Sequence, residues 1–330
     1  MAHLTRSKRD QIEVLVRAGK KQQEIARLIG CHQSTVSREL ARGSPPIRFN
    51  YRGHKAQFRA AQRRRKEHHW HDDPRVFRFV LELLRQRMSP EQIEGRMKRA
   101  SPWHRVHAVS AKTIYAWIWR NQEEGGCLFL HLRRRGKRPK WFGVVRTEKV
   151  NIPHRRDISE RPKIVDRWKR CGDWESDLVV SPRMGSGAVA TFVERFSKYL
   201  RAALLRDRSA EAFVAGARQA LDVIPHALRL TMTHDNGLEI CGHEQITDDL
   251  NITVYCARPF HSWERGLNEH TNGLLRDFFP KGTDFSTVSH EELAHAVELI
   301  NNRPRRSLNF RTPKEVLDAE IKRYAFETSD

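Results

Sequence analysis

The chain has 330 residues, 38% of them hydrophobic and 31% charged, with a formal net charge of +21. That length exceeds what one core usually organises, so two or three domains are expected. The absence of any run of about 18 apolar residues argues against a membrane span, and the charged N-terminus is unlike a signal peptide. Five scattered cysteines without a CxxC pair suit neither a disulfide framework nor a zinc site and fit a cytoplasmic protein.

The charge is divided unevenly. Residues 1–170 carry 42 Lys+Arg against 16 Asp+Glu, a net of +26, whereas residues 171–330 net −5. A front half this basic has the composition of a DNA- or RNA-binding surface. In chain order, "KKQQEIARLIGCHQSTVSRELAR" (20–42) reads as a helix-turn-helix, preceded by a helix over about 7–18 with Ile12, Leu15 and Val16 inward. Ile25, Ala26 and Ile29 share one face, Gly30 supplies the positive φ of the turn, and Val36 and Leu40 face inward on the second helix. Gln33, Ser34, Ser37 and Arg38 then face outward as donors for base edges and phosphates. These features delimit a DNA-binding domain over residues 1–45.

Residues 46–74 form a basic connector with a helical stretch. His68, His69 and His71 have no companion ligands and are not expected to bind metal. A second helical, helix-turn-helix-like unit is expected over 75–125. "MSPEQIEGRMKR" begins with Ser89 as N-cap, Pro90 at the first helical position and Gln92 closing a capping box. "VSAKTIYAWIWR" begins at Ser110, buries Ile114 and Ile118, and offers Lys112, Thr113 and Tyr115; plain helical packing would give the same pattern. A basic linker over 126–168 contains "LRRRGKRPKW", with Arg133, Arg134 and Arg135 suited to track a DNA backbone.

From residue 169 to about 325 the rhythm is that of an α/β domain with a mixed sheet. Strands are expected at 173–182, 188–196, 199–207, 228–237 and 252–257, a helix capped by Ser209 at 209–224, and helices at about 263–278 and 289–303. Asp177 sits on the first strand, with Asp173 and Glu175 on its face. Asp235 ends the fourth strand just before Asn236-Gly237. Glu269 lies on a helix that can cross the sheet, amid Arg265, Asn268 and Asn272, which read as DNA-contacting groups. Three carboxylates from separate elements can hold two Mg²⁺ ions about 4 Å apart for phosphodiester chemistry, and Mn²⁺ has the same oxygen preference. Asp173, Glu175 and Glu264 are local rivals for the role.

"GDWESDLVV", "THDNGLE", "ARPFHSWERGLNEHTNGLLRDFFPKGTDF" and "NNRPRRSLNFRTPKEVL", with "STVSREL", "TIYAWI" and "ISERP" upstream, resemble the signature blocks of transposases of insertion-sequence family 30. The likeness runs from about residue 5 to 320. It implies an N-terminal all-α helix-turn-helix region followed by an RNase H-like DDE catalytic domain. Asp177, Asp235 and Glu269 are then the catalytic, metal-binding carboxylates, with 33 residues between the last two. His270 stands where the family more often has Asn, and Ile240 and Cys256 replace aromatics; none of these is a metal ligand. The resemblance further implies double-stranded DNA as partner, at the inverted element ends and at the target, and a copy-out, paste-in route in a bacterial, nucleoid-associated setting. Symmetric ends imply a homo-oligomer, at least a dimer. A helix-turn-helix transcription regulator would leave the carboxylates without a purpose, and a structure-directed nuclease would not require the helix-turn-helix units.

Overall fold

The computed structural model describes residues 4–43, 51–64, 73–133, 152–182, 187–258 and 261–327. His68, His69, His71, Arg134 and Arg135 lie outside them. The chain divides into two compact units, Met1–Pro74 and Arg75–Asp330.

In the first unit, α1 (Arg6–Arg17), α2 (Gln22–Leu28), α3 (Gln33–Gly43) and α4 (Gly53–Arg64) surround a core of Ile12, Val16, Ile25, Ala26, Ile29, Val36, Leu40, Tyr51 and Ala56. The α2–α3 turn passes through Gly30 at φ +64°, a conformation that costs glycine little. A buried ion pair, Arg9 Nε to Glu39 Oε1 at 2.6 Å, ties α1 to α3. Arg9 also donates to Gln57 of α4, and the Tyr51 hydroxyl donates to Glu39.

The second unit opens with α5 (Pro74–Arg85), α6 (Pro90–Arg99), α7 (Pro102–Val106) and α8 (Ala111–Glu123). The Ser89–Gln92 capping box forms, and Ser110 caps α8. Residues 75–125 pack in the same compact unit as the sheet. Arg87 donates to the Asp277 carbonyl, Gln92 to the Pro304 carbonyl, and Arg96 pairs with Glu315. At the centre of this contact Gly95 faces the Phe310 ring, and a Cβ at that position would stand 2.2 Å from it.

The sheet runs β1 (Asp173–Val180), β2 (Ala188–Glu194), β3 (Leu200–Leu205), β4 (Thr231–His234) and β5 (Thr253–Cys256), with α9 (Ala210–Leu221) after β3 and α10 (His243–Leu250) before β5. Its order is β3-β2-β1-β4-β5. The β1–β2 and β2–β3 pairs are antiparallel, the β1–β4 and β4–β5 pairs parallel. This is the mixed sheet of an RNase H-like fold. One face packs Trp174, Phe192, Phe213 and Met232 with α9 and α10. The other packs Val179, Val189, Val193 and Leu200 beneath α11 (Gly266–Leu275) and α12 (His290–Asn301). The last helix, α13 (Pro313–Glu327), completes the unit.

The strands and helices of the sheet domain are shorter than their sequence expectation, most clearly at three places. The fourth strand is confined to Thr231–His234 because His226–Leu228 closes into a 3₁₀ turn. The segment expected as a helix from 263 begins as a 3₁₀ turn, Ser262–Arg265, and becomes α-helical at Gly266. The fifth strand is likewise trimmed to four residues. Among the described residues, no helix is long and apolar enough to cross a membrane.

The Gly95 contact sets a first expectation. Gly95→Ala should destabilise the Arg75–Asp330 unit by about 1–3 kcal/mol, the usual cost of overpacking a closed contact. Denaturant unfolding of the full chain checks it; an unshifted transition would mean that Phe310 moves aside freely.

Candidate active site

The site begins with strand register. Glu175 of β1 is paired in parallel with Thr233 of β4. Parallel neighbours share a face, so two residues further along Asp177 comes level with Asp235, just past the end of β4. On the opposite face the intervening pair also meets: the Ser176 hydroxyl lies 2.8 Å from His234 Nδ1.

One guanidinium joins the two carboxylates. Arg265 Nη1 is 3.3 Å from Asp177 Oδ1, and Nη2 is 3.1 Å from Asp235 Oδ2. The side chain is only 12% exposed. Asp177 also accepts from its neighbour Leu178 N–H and, at Oδ2, from Asn272 Nδ2 at 2.8 Å. Thr191 Oγ1, 3.0 Å from Asn272 Oδ1, turns the Asn272 amide so that its nitrogen faces Asp177.

The two carboxylates have unlike environments. Burial pushes the Asp177 carboxyl upward, partly opposed by Arg265 and reinforced by neighbouring Asp235. Burial acts in the same direction on Asp235, yet His234, Arg265 and the Gly237 N–H together hold it well below the usual carboxylate range. His234 is fully buried; burial lowers its pKa, but Asp235 and Glu239 override that and raise it to about 9. Its Nε2 stands 3.1 Å from Asp235 Oδ1 and 3.5 Å from Glu239 Oε1, ion-pair distances without hydrogen-bond alignment. A protonated imidazole has no free lone pair, so His234 acts here as a counter-charge. Among the described residues, these three are the only His, Cys, Asp or Glu set whose ligand atoms lie within 4.8 Å of one another.

Glu269 is exposed on α11, one turn after Arg265 and one turn before Asn272. That spacing puts it on the side of the helix that meets Asp177. No hydrogen bond or ion pair engages its side chain among the described residues. The structure therefore joins Asp177 to Asp235 through Arg265 and leaves Glu269 exposed, one helical turn from that arginine.

The rival carboxylates are committed elsewhere. Asp173 takes both Arg170 nitrogens at 2.8 Å and the Thr231 hydroxyl. Glu264 accepts from the Arg258 N–H. Glu175 is completely buried, bonded to Arg195 Nη1 and to the Asn268 N–H of α11 at 3.0 Å. Arg195 in turn lies 4.4 Å under the Trp168 ring, with Lys198 Nζ 3.5 Å from the same ring. Glu175 is thus the tether that lays α11 on the sheet.

Of the groups expected to touch DNA, Gln33, Ser37 and Arg38 are exposed on α3, and Ser34 is half-buried. The Arg38 guanidinium folds back on the Ser34 carbonyl and hydroxyl, both at 3.0 Å. Lys112 is exposed, Thr113 is spent on the Ser110 cap, and the half-buried Tyr115 hydroxyl is held by Glu91. Arg133 pairs with Asp277 and donates to the Gly273 carbonyl. Asn268 is wholly buried between α11 and β2, which removes it from any DNA-facing surface. Arg265 and Asn272 are likewise turned inward, onto the carboxylates. His234, Glu239, Arg195 and Thr191 were not singled out from the sequence, although His234 and Glu239 flank Asp235 within "THDNGLE".

Comparison with known proteins adds four findings. A helix-turn-helix domain family matches residues 2–43. The transposase for insertion sequence element IS4351 of Bacteroides fragilis is 36% identical over 315 residues, spanning 95% of this chain and 94% of that protein. Transposase InsI for insertion sequence element IS30A of Escherichia coli (strain K12) is 33% identical over 330 residues, spanning 97% and 85%. Among solved structures, the catalytic core domain of BIV integrase aligns with a TM-score of 0.37 and 20% identity, over 47% of this chain and 99% of that one.

If Glu175 is a tether, Glu175→Gln should lower stability by about 3–5 kcal/mol without any metal present, since it leaves Arg195 buried and uncompensated. Glu264→Gln, which keeps a hydrogen-bonding side chain at a less buried site, should cost well under half as much. Equal unfolding midpoints for the two variants in chelator would contradict the assignment.

Proposed function

The chain belongs to insertion-sequence family 30 of the transposases, and on that premise we propose that Asp177, Asp235 and Glu269 are its catalytic carboxylates. The protein is a DNA transposase, an enzyme of the DDE polynucleotidyl transferase type. The observation that carries the assignment of residues is the shared guanidinium: Asp177, within β1, and Asp235, just past the end of the adjacent parallel β4, already hold one cation between them.

The donor set suits a hard divalent ion. Every candidate ligand is a carboxylate oxygen, and Mg²⁺ and Mn²⁺ prefer such donors. Asp177 and Asp235 would hold the first ion, with Glu269 supplying a further ligand for a pair. When bound, such ions supply Lewis-acid activation of the attacking oxygen and neutralise charge at the phosphodiester. The protein's own groups prepare that site. Asn272 fixes the rotamer of Asp177, and the charged His234 keeps Asp235 ionised. The Glu175–Arg195 pair holds α11, and with it Glu269, over the sheet.

Recognition is assigned to the front of the chain. The helix-turn-helix of α2 and α3 would read the element ends through Gln33, Ser37 and Arg38, while Lys112 and the basic residues about 133–140 would hold the backbone. Paired inverted ends require at least two copies of the chain.

Asp177→Asn, Asp235→Asn or Glu269→Gln should each abolish strand cleavage and joining while leaving end binding nearly intact. Labelled element-end duplexes with Mg²⁺ provide the measurement, and near-normal joining by any one variant would remove that residue from the catalytic set. Arg38→Ala should reduce discrimination between end and random duplex by about 1–3 kcal/mol, the value of a good bidentate base contact. Band-shift titrations at fixed salt decide this; an unchanged specificity ratio would take α3 out of base reading.

A further inference from the structure

Arg265 is placed where a catalytic cation would have to go. Its two terminal nitrogens lie 3.3 Å from Asp177 and 3.1 Å from Asp235, its Nη1 also faces the Ser176 carbonyl at 3.4 Å, and its Nε is buried without a partner. A guanidinium stays protonated across the working pH range, so this charge cannot be titrated away. A divalent ion on the same carboxylate oxygens would meet it at contact distance, and like charges at that separation in a half-buried site repel strongly. The two cations are mutually exclusive at this position.

The guanidinium must therefore have somewhere to go, and its fork geometry matches one ligand in particular. Arginine binds phosphate oxygens bidentately, as it binds carboxylates. We propose that Arg265 is a resident counter-ion, exchanged for divalent metal when a DNA phosphate enters the site and accepts its guanidinium. Metal loading and DNA binding are then coupled at one residue. Without DNA the carboxylates are held in register by Arg265 and discriminate against metal. With DNA, Arg265 turns from holding carboxylates to holding the phosphodiester backbone beside them. This inference rests on the reading of Asp177 and Asp235 as the metal carboxylates. Linkage adds a consequence: the factor by which DNA tightens metal binding is the factor by which metal tightens DNA binding.

The test is Mn²⁺ binding to the full chain, followed by the electron paramagnetic resonance of the free ion, with and without an element-end duplex. In the absence of DNA, Arg265→Met should bind Mn²⁺ about tenfold more tightly than the unaltered chain, within the usual span of such couplings. Duplex should tighten Mn²⁺ binding about tenfold in the unaltered chain but less than about twofold in Arg265→Met. Asp177→Asn, measured in both backgrounds, corrects for Mn²⁺ held by the DNA phosphates alone. Equal Mn²⁺ affinities for the two chains without DNA, or the same gain on adding duplex, would overturn the counter-ion role. Mn²⁺ binding that survives Asp177→Asn would instead overturn the assignment of the carboxylates. Should Arg265→Met fail to fold, judged by circular dichroism in chelator, Arg265→Lys decides on the same criterion. Its ammonium keeps the charge but cannot fork onto both carboxylates, so tighter Mn²⁺ binding than the unaltered chain supports the role and unchanged binding rejects it.

Discussion

Two carboxylates side by side, one within a strand and one just past the end of its parallel neighbour, repel each other unless a cation lies between them. The β1–β4 register forces that situation on Asp177 and Asp235, and much of the surrounding structure answers it. Arg265 bridges the pair, His234 adds a positive charge behind Asp235, and Asn272 donates to Asp177. The outcome is asymmetric. Asp235 is strongly ionised, while burial pushes Asp177 the other way, so the two oxygens that face a common cation differ in their readiness to bind it.

The second constraint is the placement of α11. Its inner face is mostly apolar, with Leu267, Leu274 and Leu275 buried, but apolar packing alone does not set where a helix stops along its axis. The polar contacts do. Glu175 accepts from the Asn268 backbone, Thr191 meets both Asn268 and Asn272, and Arg276 donates to the Val180 carbonyl. These bonds set the helix against β1 and β2 in one register. Glu269, whose side chain has no hydrogen-bond or ion-pair partner among the described residues, inherits its position from them. A buried ion pair such as Glu175–Arg195 is weak as a source of net stability, since desolvation opposes it. Its value here lies in direction: it turns Glu175 so that its other oxygen meets the helix.

Much of this was legible in the sequence because it rests on periodicity and local chemistry. Ile25, Ala26, Ile29, Val36 and Leu40 are buried as their spacing requires, and the Ser89–Gln92 box forms as read. The five strands along the chain followed from alternation and turn residues, whereas their order in the sheet did not. What escaped were elements whose signals are short or late. The helix α10 buries only His243, Ile246 and Leu250 over its eight residues, too few for a clear period. The helix α5 carried a fuller signal, strongly periodic through Val76, Val80 and Leu84 with Asp73 directly ahead of Pro74. The helix α13 was not expected, although Thr312-Pro313-Lys314-Glu315 carries a capping pattern whose reciprocal bonds form at 3.0 and 3.1 Å. Roles that depend on which way a side chain turns were not legible at all. Arg265, Asn268 and Asn272 look like DNA contacts in a polar string, and only the helix register shows that all three point inward.

The same lesson applies to charge. The sum over residues 171–330 is negative, yet the C-terminal end of α11 is locally basic. Arg133 and Arg303 lie against the Asp277 carboxylate and Arg87 donates to its carbonyl; Arg303 and Arg305 are lowered to about 10, chiefly by burial, with Arg303 adding to the effect on Arg305. One carboxylate cannot neutralise four guanidinium groups. Net charge governs long-range attraction to a polyanion, whereas a local surplus of this kind acts within a Debye length, about 8–10 Å at ordinary ionic strength. Residues 1–170 therefore suit attraction of a polyanion at a distance, and residues 171–330 need no net positive charge of their own for it.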